Sequence, residues 1–283
     1  MNQKTLLKDY LYNLKISFPD VAYSQPRHMS KQLASPAAPS FGSASSAAIA
    51  DPYYMPPNAG IPPLLLHDDK EQAMIVDKSL ISFVSGVNAA NRADILESTL
   101  LAQLGAKAKI ADESDVIGWY KSYIEILART GWTIEGGDVQ KFSAKANVVE
   151  IQSVIIDILT AAFGANLVQI INKVLDSIKT LADSTGKIEA FEKNTHTESS
   201  GSFQIGVATQ EGGAVCINLG TFLITSTNKI SHILFVKFSN DETELQYASG
   251  KLTLDQDIYG NIRSLVKQKL NGRLAEFVSD IPI

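Results

Sequence analysis

The side chain with the most distinctive chemistry in this sequence is its single cysteine, Cys216, in the run AVCINLGTFLIT. A thiol can serve as a nucleophile, a metal ligand or a point of acyl attachment. One cysteine cannot form an intramolecular disulfide, so stability must come from packing, although export is not thereby excluded. No lysine, arginine or histidine lies within the surrounding hairpin to lower its pKa, which argues against a thiolate nucleophile of the protease kind.

The other chemistry-bearing residues are dispersed. His28, His67, His196 and His232 have no second ligand at metal spacing on a regular element, so no metal is expected. His67-Asp68-Asp69 reads as a solvated helix start. Ser184-Thr185-Gly186-Lys187 resembles the end of a phosphate-binding loop, but Leu181 stands where the loop needs its first glycine, so a helix-ending turn is expected. Asp255 and Asp257 resemble the opening of a calcium loop, yet Tyr259 and Val266 occupy ligand positions, and helix capping explains the acids better. There is no G-x-S-x-G elbow. The sequence therefore leans away from an enzyme, while an active site assembled from distant residues stays invisible to it.

Composition sets the frame for these residues. The chain has 283 residues, 45% of them hydrophobic and 19% charged, which is the balance of a globular protein with a sizeable core. A net charge of -5 gives no global reason to bind nucleic acid, and binding to an anionic membrane would need a local patch. Arg263, Lys267, Lys269 and Arg273 form the most basic stretch. They fall among Ile262, Val266 and Leu270 rather than opposite them, so a solvated face is expected rather than a lipid-binding helix. The most membrane-like run, Val154 to Val174, is interrupted by Asp157, Asn166, Gln169, Asn172 and Lys173, so no transmembrane helix is expected. The start, MNQKTLLKDYLYNLK, reads as an amphipathic helix rather than a signal peptide.

The elements follow from periodicity. Residues 1–18 carry the N-terminal helix. Residues 19–63, rich in Pro, Ala and Ser, form an extended arm or linker, with Tyr53, Tyr54 and Met55 suggesting that part of it docks. Residues 64–283 form a single α+β domain. Its first part predicts helices at Met74 to Val87, Arg92 to Leu104 and from near Asp112 to Gly131. A short extended piece, Trp132 to Phe142, then leads to two apolar helices, about Val148 to Phe163 and Asn166 to Leu181, broken at Gly164. After Gly201 the period becomes two, and SFQIGVATQ, AVCINLGTFLIT, HILFVKF and ELQYASGKL predict an antiparallel meander. Thr253 and Gln256 match a capping box before a final helix. The fold class is thus α+β, with a helical N-terminal two-thirds packed on a C-terminal meander and a final helix.

Within that meander, Gly212-Gly213 predicts a two-residue turn that pairs Glu211 with Ala214, Thr209 with Cys216, Val207 with Asn218, Ile205 with Gly220 and Phe203 with Phe222. Cys216 then shares a face with Phe203, Ile205 and Val207, while its own strand offers only Ala214, Asn218 and Gly220 beside it. One strand is apolar and its neighbour nearly bare, which leaves a groove unless helices fill it. The opposing reading is an inert core cysteine, the usual state of a free thiol.

At this point the sequence resembles the Erwinia virulence factor family. The features that carry the resemblance are the lone cysteine in AVCINLGTF after a glycine turn, the apolar helices upstream, the closing helix and the lack of an enzyme motif. The resemblance covers the layout from about Asp68 to the end, and the arm before it has no counterpart. It implies a palmitate held by a thioester on Cys216 inside the protein, peripheral binding to anionic membranes and a role in bacterial persistence in an insect host. The protein would then sit in the bacterial cytoplasm or be released and membrane-peripheral. Two other functions remain open: a self-assembling structural or adhesion protein whose arm, 19–63, docks on a neighbour, and a thioesterase or acyltransferase using Cys216 as acyl carrier.

Overall fold

A computed structural model describes residues 3–17, 65–143, 149–181, 186–235, 237–238, 242–281 and 283. The proposed arm and its Tyr53, Tyr54 and Met55 cluster lie outside the described residues, as do Ser184 and Thr185. In chain order the elements are α1 (Gln3–Asn13), β1 (Gln72–Val76), β2 (Ser79–Phe83), α2 (Ala89–Lys109), α3 (Val116–Arg129), β3 (Trp132–Gly136), β4 (Gln140–Lys141) and β5 (Val149–Glu150). There follow α4 (Ile151–Phe163), α5 (Ala165–Leu181), α6 (Gly186–Thr195), β6 (Ser200–Glu211), β7 (Ala214–Ser226), β8 (Lys237–Phe238), β9 (Thr243–Leu254), α7 (Gln256–Lys269), α8 (Leu274–Phe277) and β10 (Val278–Ile281).

One mixed sheet organises the chain, in the order β10-β1-β2-β6-β7-β9-β3, with β4 also on β9. Strands β6, β7 and β9 are long and antiparallel, while β2 meets β6 in parallel. Both faces are covered. On one side, β7 presents Val215, Ile217, Leu219 and Leu223 to α1, α2, α3 and α7. On the other, Phe203, Ile205, Val207, Phe222 and Ile224 meet α4, α5 and α6. A sheet buried on both faces needs apolar residues at odd and even positions alike, and β6 and β7 supply them. The fold is α+β, as the periodicity implies.

Particular elements depart from the sequence expectations. Met74 to Val87 is not a helix but the β1–β2 hairpin and the loop after it. Asp77 takes the first turn position with φ +48°, a conformation that a short acidic side chain tolerates. The turn is held by Gln103 of α2, whose Oε1 accepts from Lys78 N at 2.7 Å and whose Nε2 donates to Val76 O at 3.1 Å. The run HILFVKF is not a strand of the meander. Ile233 and Leu234 are buried in a turn, and among its described residues only Lys237–Phe238 is extended, paired with β5. Thr253 does not cap α7 because it is still in β9; Asp255 does, accepting from Asp257 N and Ile258 N at 3.0 and 2.9 Å. His67-Asp68-Asp69 starts no helix. Asp68 instead accepts from Ala89 N at the start of α2.

The remaining boundaries follow local chemistry. Gly164 separates α4 from α5 at φ +83°, and Gly131 follows α3 at φ +101°. Helix α1 adds fully buried Leu11 to the same core as α2 and α3. The four cations of the last segment are engaged with the protein. Arg263 pairs with Asp94, Lys267 with Glu97 and Arg273 with Glu276, and Lys269 donates to Tyr12 O. The first, second and fourth of these contacts tie α7 to α2 and α1, and the third is local to the last segment. Among the described residues no helix is long and apolar enough to cross a membrane.

Candidate functional site

The β6–β7 hairpin has the register that its glycines dictate. Gly212 and Gly213 sit at φ +56° and +89°, as a two-residue turn with both central residues left-handed requires. Thr209 faces Cys216, Val207 faces Asn218, Ile205 faces Gly220, Phe203 faces Phe222 and Glu211 faces Ala214. Cys216 is 3% exposed and by this register shares the sheet face of Val207, Ile205 and Phe203. Phe203 and Phe222 stack at a centroid distance of 5.2 Å.

The candidate acyl residues are not all buried together. Phe203, Ile205, Val207 and Gly220 are buried, Asn218 is half-buried and Ala214 at the turn is exposed. The bare position at Gly220 is occupied from above, since a Cβ built there would overlap Leu159 Cδ2 of α4. The helix layer therefore fills the groove at that point.

The third strand supplies what the hairpin alone cannot reveal. Thr253 of β9 stands on the other side of Cys216, with its Oγ1 3.6 Å from the thiol sulfur, and Lys251 pairs with Asn218 one step along the same face. Thr209, 6% exposed, has a buried Oγ1 without a hydrogen-bond partner within the protein. Cys216 is thus flanked by two threonines, one with its hydroxyl beside the sulfur and the other with its hydroxyl orphaned. Burying a hydroxyl without a partner is unfavourable by about 1–3 kcal/mol, so an acceptor brought against it would be rewarded.

A second concentration of polar groups lies at the opposite end of β6. Lys78 of the β1–β2 turn donates to Ser202 Oγ at 3.3 Å and stands 5.0 Å from the Trp119 ring centroid. His196 follows α6, its Nε2 3.2 Å from Glu192 Oε2 and its Nδ1 2.9 Å from Thr197 O. Two acceptors around one imidazole favour its charged form and raise its pKa above the ordinary value. Among the described residues no cluster of three metal-ligating side chains occurs.

No family model matches the chain, and no curated protein matches it. Comparison with solved structures finds distant matches, among them a delta-endotoxin, 15% identical with a TM-score of 0.38 over 72% of this chain and 90% of that one. The Evf virulence factor is 10% identical with a TM-score of 0.31, over 72% and 80%. The activated Cyt2Ba monomer from Bacillus thuringiensis subsp. israelensis is 14% identical with a TM-score of 0.29, over 48% and 79%.

Proposed function

We propose that this is a non-enzymatic membrane-interaction protein that carries a fatty acyl chain as a thioester on Cys216. The observation that carries the reading is the orphaned hydroxyl of Thr209, the residue paired with Cys216 across the hairpin. A thioester carbonyl formed at Cys216 would accept its hydrogen bond, and the chain, most simply palmitate, would run over Val207, Ile205 and Phe203 beneath α4 and α5. It would take the space that Leu159 now fills above Gly220.

Attachment is an exchange of thioesters. The Cys216 sulfur forms the new S–C bond with an acyl-thioester donor of the acyl-coenzyme A class, the donor's own C–S bond breaks, and its thiol leaves with the Cys216 proton. Each methylene removed from water contributes about 0.8 kcal/mol, which favours a buried chain. One exposed chain is only a marginal anchor, so membrane binding of an anionic surface would need the chain released and a second contact.

Intact mass spectrometry of the protein after incubation with palmitoyl-coenzyme A tests this. The expected result is one added palmitoyl group that hydroxylamine removes and that a Cys216→Ser variant lacks. An unchanged mass, with Cys216 still reactive to a thiol reagent after denaturation, would leave an ordinary core cysteine.

A further inference from the structure

A cleft of about 190 Å³ opens where five elements meet: the β1–β2 turn, the end of α2, the start of α3, the end of α6 and the first residues of β6. Its walls present donors. Lys107 and Lys193 stand on them, while the indole N–H of Trp119 and the amide Nδ2 of Asn194, both unpartnered within the protein, are enclosed behind the lining. Lys78 directs its ammonium to the same space, where one of its three protons goes to Ser202 Oγ. Ser202, having accepted that proton, keeps its own hydroxyl hydrogen to give. Lys193 is exposed at the mouth.

The acids nearby are already engaged. Glu113 stands 3.8 Å from Lys107, Asp112 accepts from Ser114 Oγ and N at 2.6 and 2.9 Å, and Glu192 holds His196 and accepts from Ile233 N. Asp77, buried at the first position of the same turn, is pushed up to about 6, largely by desolvation. Burial lowers the Lys78 pKa, and the nearby charges of Asp77 and Glu113 offset this only in part. A negative group beside the ammonium would reverse that penalty.

Lys78, Lys107, Lys193 and His196 line the cleft against Asp112 and Glu113, and this excess of cations, with the Ser202 hydroxyl proton, calls for one acceptor with several oxygens. A carboxylate has two coplanar oxygens, whereas a phosphate offers acceptors in three dimensions to donors arriving from α2, α6, β6 and the β1–β2 turn. The turn that carries Lys78 is fixed by Gln103, so the site is built in advance. We propose that this cleft binds a phosphate group, either of a soluble phosphomonoester or of a lipid headgroup. Ser202 lies on the α2–α3 face of the sheet, opposite Cys216, so this proposal stands or falls apart from the acyl one.

The test uses the full chain at constant ionic strength, with binding read by calorimetry and by Trp119 fluorescence against a Trp132→Phe background. Probes are inorganic phosphate, glycerol 3-phosphate and phosphatidylcholine vesicles with or without phosphatidic acid. Saturable binding to the soluble probes supports a soluble ligand, and binding confined to the phosphatidic acid vesicles supports a headgroup. Lys78→Met keeps the apolar stem over Trp119 and should weaken binding about tenfold or more. Lys193→Ala, at an exposed position that does not threaten folding, should weaken it by a smaller factor. No binding to any probe, or equal affinity in wild type and Lys78→Met, overturns the proposal.

Discussion

Leu159 of α4 stands directly over Gly220 of β7, close enough that no side chain at 220 fits without moving it. This contact closes the groove that the bare strand would otherwise leave, and it couples the helix layer to the sheet beside Phe222. Gly220→Ala should therefore destabilise the protein by about 1–3 kcal/mol through overpacking, and Leu159→Ala by about 2–5 kcal/mol through a cavity. Because the added methyl partly fills the lost volume, the double variant should be more stable than the sum of the two predicts. Urea unfolding of the four proteins gives the answer, and strict additivity would mean that the two positions do not touch. In the acylation assay, Leu159→Ala should raise the modified fraction, whereas Gly220→Leu should lower it with the thiol intact.

The register around Cys216 was legible because a Gly-Gly turn of two residues leaves one pairing open to the strands it joins. The neighbours across β9 were not, since Thr253 is 37 residues away and its pairing depends on where the loop through Ile233 and Leu234 ends. The β1–β2 hairpin escaped for a different reason. All ten of its strand residues are buried, so no polar alternation marks a strand, and its turn is Asp77-Lys78 without a glycine. Its run of apolar residues fits a helical face equally well. The phosphate cleft could not be read at all, because Lys78, Trp119, Asn194 and Ser202 come from four separate elements.

Stability should fall as pH rises from about 4 to above 7. Burial of Glu97 against α7 raises its pKa from 4.5 to about 7, with Lys267 at 3.7 Å opposing the shift. Asp77 is raised to about 6 and His196 lies above 6.5. In each case the folded state holds its proton more tightly than the unfolded chain. The stabilisation is complete below the unfolded pKa and is lost as pH rises through the folded one. For Glu97 the loss between pH 4 and pH 8 is on the order of 2–3 kcal/mol. Denaturant midpoints measured across that range should show the decline, and Glu97→Gln should flatten it above pH 5. A profile that is flat in the wild type would contradict these environments.

Arg263 grips Asp94 with two parallel hydrogen bonds of 2.7 Å, fastening α7 to α2. Asp94 is almost fully buried, whereas about a third of the Arg263 side chain remains in water. Removing the arginine leaves a carboxylate that cannot be solvated. Arg263→Ala should cost about 2–3 kcal/mol, less than a fully buried pair because water still reaches one partner. Arg263→Lys should recover only part of it, since an ammonium cannot match both carboxylate oxygens. Thermal unfolding in low and high salt checks the assignment: a pair this enclosed should lose little to screening.

The orphaned hydroxyl of Thr209 offers a way to separate acyl binding from simple packing at Cys216. In the unmodified protein this group is buried without a partner, so Thr209→Val, which keeps the shape and removes the polar atom, should stabilise the fold by about 1–2 kcal/mol. If the thioester carbonyl accepts from Thr209, the same substitution removes a hydrogen bond from the acylated form. The variant should then gain stability before palmitoyl-coenzyme A is added and lose modified fraction afterwards. Thr253→Val serves as the comparison, because its Oγ1 already lies 3.6 Å from the thiol and is not orphaned. A purely structural Thr209 would change stability alone and leave the extent of acylation at its wild-type level. That outcome would remove the hydrogen bond from the proposed site while Cys216→Ser still reports on the thiol itself.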